Sequence, residues 1–297
     1  MWAMRLSPNK ILILTVGLGI TVVQAWGSCR PVPQSDQIWS SKSIRWVLVG
    51  ELHGSNETPA AFGDLVCNAL AHDRRITVAL ERPASEQDAL EAILTTKDLP
   101  AGRETLLDQP GWKNGIDGRA SEAMFRLLLT MRALHSSYPD LNVFAFEAPF
   151  TGTSPGDRDE AMGHALLSLK TRYPQNLILV LTGNVHVMLK PRFGYDFAAM
   201  YLPLQETLSL VVTDQGGGTS WSSTADGCGP TATGVVSKGA ARSFGIYLDP
   251  ELAPIQKVNG TFALDDKLTA SSPAAGDPGS FVDCRMKYIA KHPASSN

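Results

Sequence analysis

The stretch Trp46-Val47-Leu48-Val49-Gly50-Glu51-Leu52-His53-Gly54 opens as an unbroken apolar run and then turns abruptly to ionisable residues and glycine. A short apolar run without polar alternation marks a strand buried on both faces, as in a parallel sheet covered by helices. Residues 76–81, 141–147 and 176–182 repeat the pattern. The segments between them read as helices. Residues 58–71 carry Pro59 in the first turn and Ala61, Leu65 and Ala69 on one stripe, and residues 85–94 have Ser85 in place to cap. Residues 120–136 are amphipathic through Met124, Leu127, Leu128, Met131 and Leu134, and residues 157–171 follow as a further helix. Strands alternating with helices predict βαβ units, hence one α/β domain with a mainly parallel central sheet flanked by helices. Residues 207–212 and 244–248 add later strands. The Pro- and Gly-rich residues 97–118 read as an inserted loop or lid, and residues 214–239 and 266–280 as long polar loops.

The chain has 297 residues, 43% of them hydrophobic and 19% charged, with a net charge of -3. That is ample apolar material for a core, and it excludes the basic balance that nucleic acid or an anionic membrane would call for. At the N-terminus, Arg5 and Lys10 precede an uncharged apolar run over residues 11–23, and Val23-Gln24-Ala25 follows. This is the order of a signal peptide over residues 1–25, leaving a mature domain of 26–297 in the periplasm or outside the cell. The run is too short for a stable membrane anchor. Cys29 offers a second route, cleavage before it and lipidation, against which Trp26 stands where a small aliphatic residue is usual. The four cysteines suit an oxidising compartment, and a Cys228–Cys284 bridge would tie down an otherwise weakly patterned C-terminal segment. The pairing of Cys29 and Cys67 stays open.

Each apolar strand ends in ionisable residues: Glu51 and His53 after the first, Glu81-Arg82-Pro83 at the second, Glu147 at the third with Arg158-Asp159 beyond it, and Gly183-Asn184-Val185-His186 after the fourth. In a parallel sheet all carboxyl ends share one edge, where ligands bind. Four segments therefore deliver carboxylates and imidazoles to one place, able to position a water or hold a metal. A single strand-end glutamate is ordinarily a surface charge, but glycines beside both His53 and His186 suit backbones that approach a ligand closely. His72, His135 and His292 lie in polar contexts, and His164 sits within a helix. Gly152-Thr153-Ser154-Pro155-Gly156 matches the nucleophile-elbow pattern, yet the elbow needs an N–H after the serine, which Pro155 lacks.

Gly50-Glu51-Leu52-His53-Gly54, Glu81-Arg82-Pro83, Arg158-Asp159-Glu160-Ala161-Met162 and Gly183-Asn184-Val185-His186-Val187 together resemble the ordered motifs of the ChaN-like and TIKI/TraB superfamily, the broad group that includes erythromycin esterases. The resemblance implies active-site roles for Glu51, His53, Glu81 and His186 and for the pair Arg158 and Asp159. It implies either a hydrolase of an ester or amide bond in a small-molecule or peptide substrate, or a haem-binding uptake protein. For the hydrolase, Glu51, His53, Glu81 and His186 would hold a divalent metal such as zinc or manganese, or a histidine would activate water unaided. For the haem protein, Phe193, Tyr195 and Tyr201 would supply an axial ligand and an apolar face, although the same residues are ordinary core candidates.

The signal-peptide reading is tested by intact-mass measurement of exported protein, which should begin at Trp26; a mass retaining residues 1–25 would overturn it.

Overall fold

The computed structural model describes residues 29–149, 152, 154–234, 242–255, 257–276 and 282–291, so the leader expected over residues 1–25 lies outside the described part. Its elements in chain order are α1 (Asp36–Trp39), β1 (Trp46–Glu51), α2 (Glu57–Ala71), β2 (Ile76–Pro83), α3 (Gln87–Thr95), α4 (Leu99–Leu107), α5 (Pro110–Lys113), α6 (Glu122–Ser137), β3 (Asn142–Glu147), α7 (Pro155–Arg172), β4 (Leu177–Gly183), β5 (Thr207–Thr213), β6 (Thr219–Thr224), β7 (Gly227–Ala232), β8 (Gly245–Tyr247), β9 (Gly260–Ala263) and α8 (Val282–Lys291). The central sheet has seven strands in the order β3-β2-β4-β1-β5-β9-β8, all parallel except for β8 against β9. This is the expected α/β fold with a mainly parallel sheet.

Side chains alternate across the strands. Val47, Val49, Val78, Leu80, Leu179 and Leu181 meet helices α2, α3 and α6 on one face. Trp46, Leu48, Ala79, Ile178 and Val180 meet α7 through Met162, Leu166 and Leu169 on the other. The chain winds away from β1 to β2 and then back from β3 to β4, which places the two sets of helices on opposite faces, as right-handed crossovers require. The same winding makes β3, β2, β4 and β1 neighbours, so the four strands with ionisable ends lie side by side. Their register is level: Glu51 pairs with Gly183, and Leu80 with Leu181. A bulge between Leu80 and Pro83 interrupts the β2–β3 pairing.

Several expectations are corrected. Residues 97–118 are mostly helical rather than a loop: Asp98 caps α4 by accepting the Ala101 N–H, and Pro100 and Pro110 stand in the first turns of α4 and α5. Proline there starts a helix, because the first-turn N–H groups have no intrahelical partner to lose. Residues 214–239 are not a plain loop either, since they contain the antiparallel hairpin β6–β7. Its strands are built of Ser, Thr and Gly with few apolar residues, so no hydrophobic alternation announces them. Ser85 lies in a 3-10 turn ahead of α3 and does not cap it. The short β9 carries no such signal, and the described part of residues 266–280 has no regular element.

Both disulfides are present, Cys29–Cys67 and Cys228–Cys284. The first ties the start of the described chain to α2 and engages the very sulfur that lipidation would need. The second joins the β6–β7 hairpin to α8. Among the described residues no helix is long and apolar enough to cross a membrane.

Cys228→Ser together with Cys284→Ser should lower stability by about 2–4 kcal/mol, because the bridge restricts the unfolded chain. Urea unfolding of the double variant checks this, and an unchanged midpoint would show that packing alone holds the hairpin.

Candidate active site

Glu51 ends β1, Glu81 lies at the β2 bulge, Glu147 ends β3, and His186 follows β4 by one turn. The structure thus gathers Glu51, His53, Glu81, Arg158, Asp159 and His186 at one sheet edge, and it adds Arg119, Asp117 and Glu147.

Glu81 is the hub. Its Oε2 accepts from the Gly183 N–H at 2.7 Å and the Thr182 hydroxyl at 2.7 Å, both from the neighbouring strand β4. Its Oε1 accepts from Arg158 Nη2 at 2.7 Å and Arg119 Nη1 at 3.3 Å. His53 spans two carboxylates, with Nδ1 2.9 Å from Glu51 Oε1 and Nε2 3.4 Å from Glu81 Oε2. Glu147 braces the two arginines, taking Arg119 Nη1 at 2.7 Å and Arg158 Nε at 2.8 Å. Asp117 receives Arg119 Nε at 2.8 Å. Asp159 Oδ1 lies 2.6 Å from His186 Nδ1, which assigns the ring proton to Nδ1 and leaves the Nε2 lone pair facing Arg158 Nη1 at 3.0 Å.

Two glycines make this closeness possible. A Cβ on Gly183 would lie 3.0 Å from His53 Nε2 and 3.5 Å from Glu81 Oε2, in the midst of the cluster. Gly54, at φ +78, presses on the hairpin: a Cβ there would lie 2.2 Å from the Trp221 carbonyl oxygen. Its own carbonyl accepts from the Trp221 and Ser271 N–H groups, each at 2.8 Å, so the residue after His53 is pinned by the hairpin and by the loop beyond it.

Burial disfavours charge on His53, but Glu81 and Glu51 outweigh it and push the imidazole up to about 10. Burial would also raise Glu81, yet the charge and hydrogen bond of His53, with the charge of Arg119, hold it well below the ordinary carboxylate range. In Glu51 burial wins and the carboxyl shifts upward. Its Oε2 is buried and has no hydrogen-bond partner among the described residues. Arg119 and Arg158 are each held more firmly cationic by the surrounding carboxylates, which overcome their burial.

These residues do not fit the four-ligand metal site expected from the sequence. Both oxygens of Glu81 are engaged by N–H and O–H donors, and His186 Nε2 looks onto a guanidinium rather than into an open centre. Two arginines supply the positive charge that a metal would bring. Among the described residues no group of three or more His, Cys, Asp or Glu side chains is placed to hold a metal ion. Tyr201, a candidate haem ligand, packs instead against His164, their rings 5.5 Å apart. His72 and His135 bond to the carbonyls of Asn68 and Leu141, away from the site, and His292 lies outside the described residues. Ser154 is a helix cap whose hydroxyl accepts the Asp157 N–H in a capping box, not an elbow nucleophile. Glu147 obeys the same strand-end rule as Glu81. Asp117 was hidden at the end of the segment read as a lid and Arg119 follows just beyond it, where a charged pair around Gly118 carries no distinctive spacing.

The sequence matches no protein-family model and no curated protein. The fold, however, is shared with solved structures. A mutant of the erythromycin esterase EreC in its open conformation superposes with a TM-score of 0.57 at 10% identity, covering 76% of this chain and 91% of the esterase. A succinoglycan biosynthesis protein superposes with a TM-score of 0.58 at 10% identity, covering 81% of this chain and 91% of its own. At such identities the likeness is one of fold.

The charge states set a pH dependence. His53 is raised, so the stability it contributes is complete below its unfolded value near 6.5 and is lost as pH rises toward about 10. Glu51, also raised, acts in the same direction. Glu81 is lowered, so its contribution is lost on acidification below about 4.5. Urea midpoints should therefore fall between pH 7 and 10, by on the order of 2–3 kcal/mol in stability, with a shallower fall in His53→Gln. Identical alkaline slopes in the two proteins would contradict the ion cluster.

Proposed function

We propose that the chain is an exported hydrolase of ester or amide bonds, of the ChaN/TIKI-like group, that activates water with its own carboxylates and imidazoles. One observation carries the reading: the imidazole of His53 is clamped between two buried carboxylates, one of which keeps an oxygen without a partner among the described residues. The fold shared with an esterase supports it.

Glu51 has the raised pKa of a useful base, and its free Oε2 takes a proton from water as the oxygen attacks the carbonyl carbon. His53 Nε2–H, only loosely engaged by Glu81 at 3.4 Å, turns to the developing oxyanion and then protonates the leaving oxygen or nitrogen. His53 is left neutral with its proton on Nδ1 toward Glu51 Oε1, and the site is restored as Nε2 takes up a proton from solvent and Glu51 releases the one it gained. Glu81 keeps His53 cationic. Arg158 steadies negative charge, and Asp159 orients His186 beside it. The disulfides suit the oxidising compartment that export implies.

A panel of chromogenic esters and anilides tests the reading. His53→Ala and Glu51→Gln should each cut kcat by roughly 10²–10⁴-fold, the span of a lost acid or base. The His53→Ala/His186→Ala double variant should be little worse than either single one, since groups acting as a unit are not additive. Ser154→Ala should cost about 1 kcal/mol of stability as a lost cap and leave kcat unchanged. Dialysis against a chelator should leave activity intact. An active His53→Ala enzyme, or activity lost on chelation, would displace this chemistry.

A further inference from the structure

The structure points to a substrate preference: we propose that the site takes neutral esters or amides with an aromatic or bulky apolar group, and turns away those with a negative charge beside the cleaved bond. This rests on the hydrolase reading. Two independent observations carry it.

The first is that acid outnumbers base in the site: the cations Arg119, Arg158 and His53 are set among Glu51, Glu81, Glu147, Asp117 and Asp159. Arg119 spends Nε and Nη2 on Asp117, at 2.8 and 2.7 Å, and Nη1 on Glu147 and Glu81. Arg158 spends Nε on Glu147, Nη2 on Glu81 and Nη1 on His186. Both nitrogens of His53 face carboxylates. An arriving carboxylate or phosphate would therefore meet an excess of acidic oxygens around every cation it could approach.

The second is an apolar rim built onto the same scaffold. Leu52, between Glu51 and His53, is 43% exposed, and Phe193 is 57% exposed. Single exposed apolar residues are ordinary, and what gives Phe193 meaning is a contiguous aromatic cluster fastened to residues of the site. Phe193 and Tyr195 belong to a cluster anchored on the fully buried Phe197, with Tyr195 edge-on at 5.2 Å and Phe193 at 6.1 Å. The segment is tied to the site by two backbone bonds. The Ala198 N–H donates to Asp159 Oδ1 at 2.9 Å, the same oxygen that holds His186, and the Ala199 N–H donates to the His186 carbonyl at 3.0 Å. Tyr195 packs on Gly156, two residues before Arg158, where an added Cβ would come within 2.9 Å of the Tyr195 Cβ. The Arg192 guanidinium lies over the Phe193 ring, 5.2 Å from its centroid.

The test compares p-nitrophenyl hexanoate and p-nitrophenyl phenylacetate with mono-p-nitrophenyl succinate, whose acyl chain ends in a carboxylate. The neutral esters should show at least about 10-fold higher kcat/KM, and Phe193→Ala or Tyr195→Ala should each cost them about 10-fold, mainly in KM, from lost apolar contact. Saturation-transfer NMR with phenylacetamide and phenylacetate gives a readout that needs no turnover: the wild-type protein should bind the amide, not the anion, and Phe193→Ala should weaken it. Equal rates on the succinate ester, or variants as active as wild type, would overturn the preference and leave the hydrolase standing. Amide binding lost in Phe193→Ala, with no ester cleaved, would uphold the apolar subsite and overturn the hydrolase reading. Failure of the wild-type protein to bind phenylacetamide would overturn the subsite itself.

Discussion

The buried Glu81 carboxylate is the interaction on which the rest of the site depends. An ionised carboxylate in a protein interior is costly unless its oxygens are met by donors and opposite charge. Here the donors come from every direction: a backbone N–H and a hydroxyl from β4, guanidiniums from Arg119 and Arg158, and the imidazole of His53. Each was brought there by a different crossover of the chain. Glu81 thus sets the charge of His53, and through Arg158 it sets the environment of His186. The adjacent Arg82 points to the opposite face, where it forms a buried pair with Glu86 at 2.8 Å and stacks on Trp112. Two neighbouring residues on one strand consequently serve unrelated purposes, one in the site and one beneath α5.

A cluster so dense in charge requires rigid surroundings, since each ion relies on partners placed to a few tenths of an ångström. The level register of β1, β2 and β4 supplies part of that rigidity. The remainder comes from segments outside the sheet. The β6–β7 hairpin, bridged to α8 by Cys228–Cys284, holds Gly54 through Trp221, and residues 266–276 hold it from the other side through Ser271. Gly118, at φ +88, packs on Gly54 in turn, so the turn after His53 and the turn before Arg119 brace each other. Polar loops that contribute little to the core therefore still fix the position of the His53 imidazole.

The fold shared with an esterase at 10% identity shows how little of the sequence this architecture constrains. Buried strands accept many combinations of Val, Leu and Ile, and helices need only an apolar stripe. What the sheet edge imposes is placement: whatever follows the carboxyl ends of adjacent strands is delivered to one crevice. Chemistry must then be argued from the side chains present there.

The alternation of apolar runs with amphipathic segments was enough by itself to determine the α/β class, because period and length decide whether a segment is a buried strand or a helix. It also determined which edge gathers the ionisable side chains, since a parallel sheet has only one carboxyl edge, and the clustering of Glu51, His53, Glu81, Arg158, Asp159 and His186 was legible for that reason. The Cys228–Cys284 bridge was legible from the polarity of its two segments. Only the tertiary structure decided the rest. Asp117 and Arg119 reach the site from the turn between α5 and α6, which has no pattern of its own, and the β6–β7 hairpin shows no hydrophobic pattern because it packs on the turn after His53 and not on the core. Most of all, whether four acids and imidazoles hold a metal or one another depends on what lies between them. Arg158, arriving from α7, sets its guanidinium between Glu81 and His186, and no spacing along the chain encodes a contact between residues that are 77 and 28 positions apart.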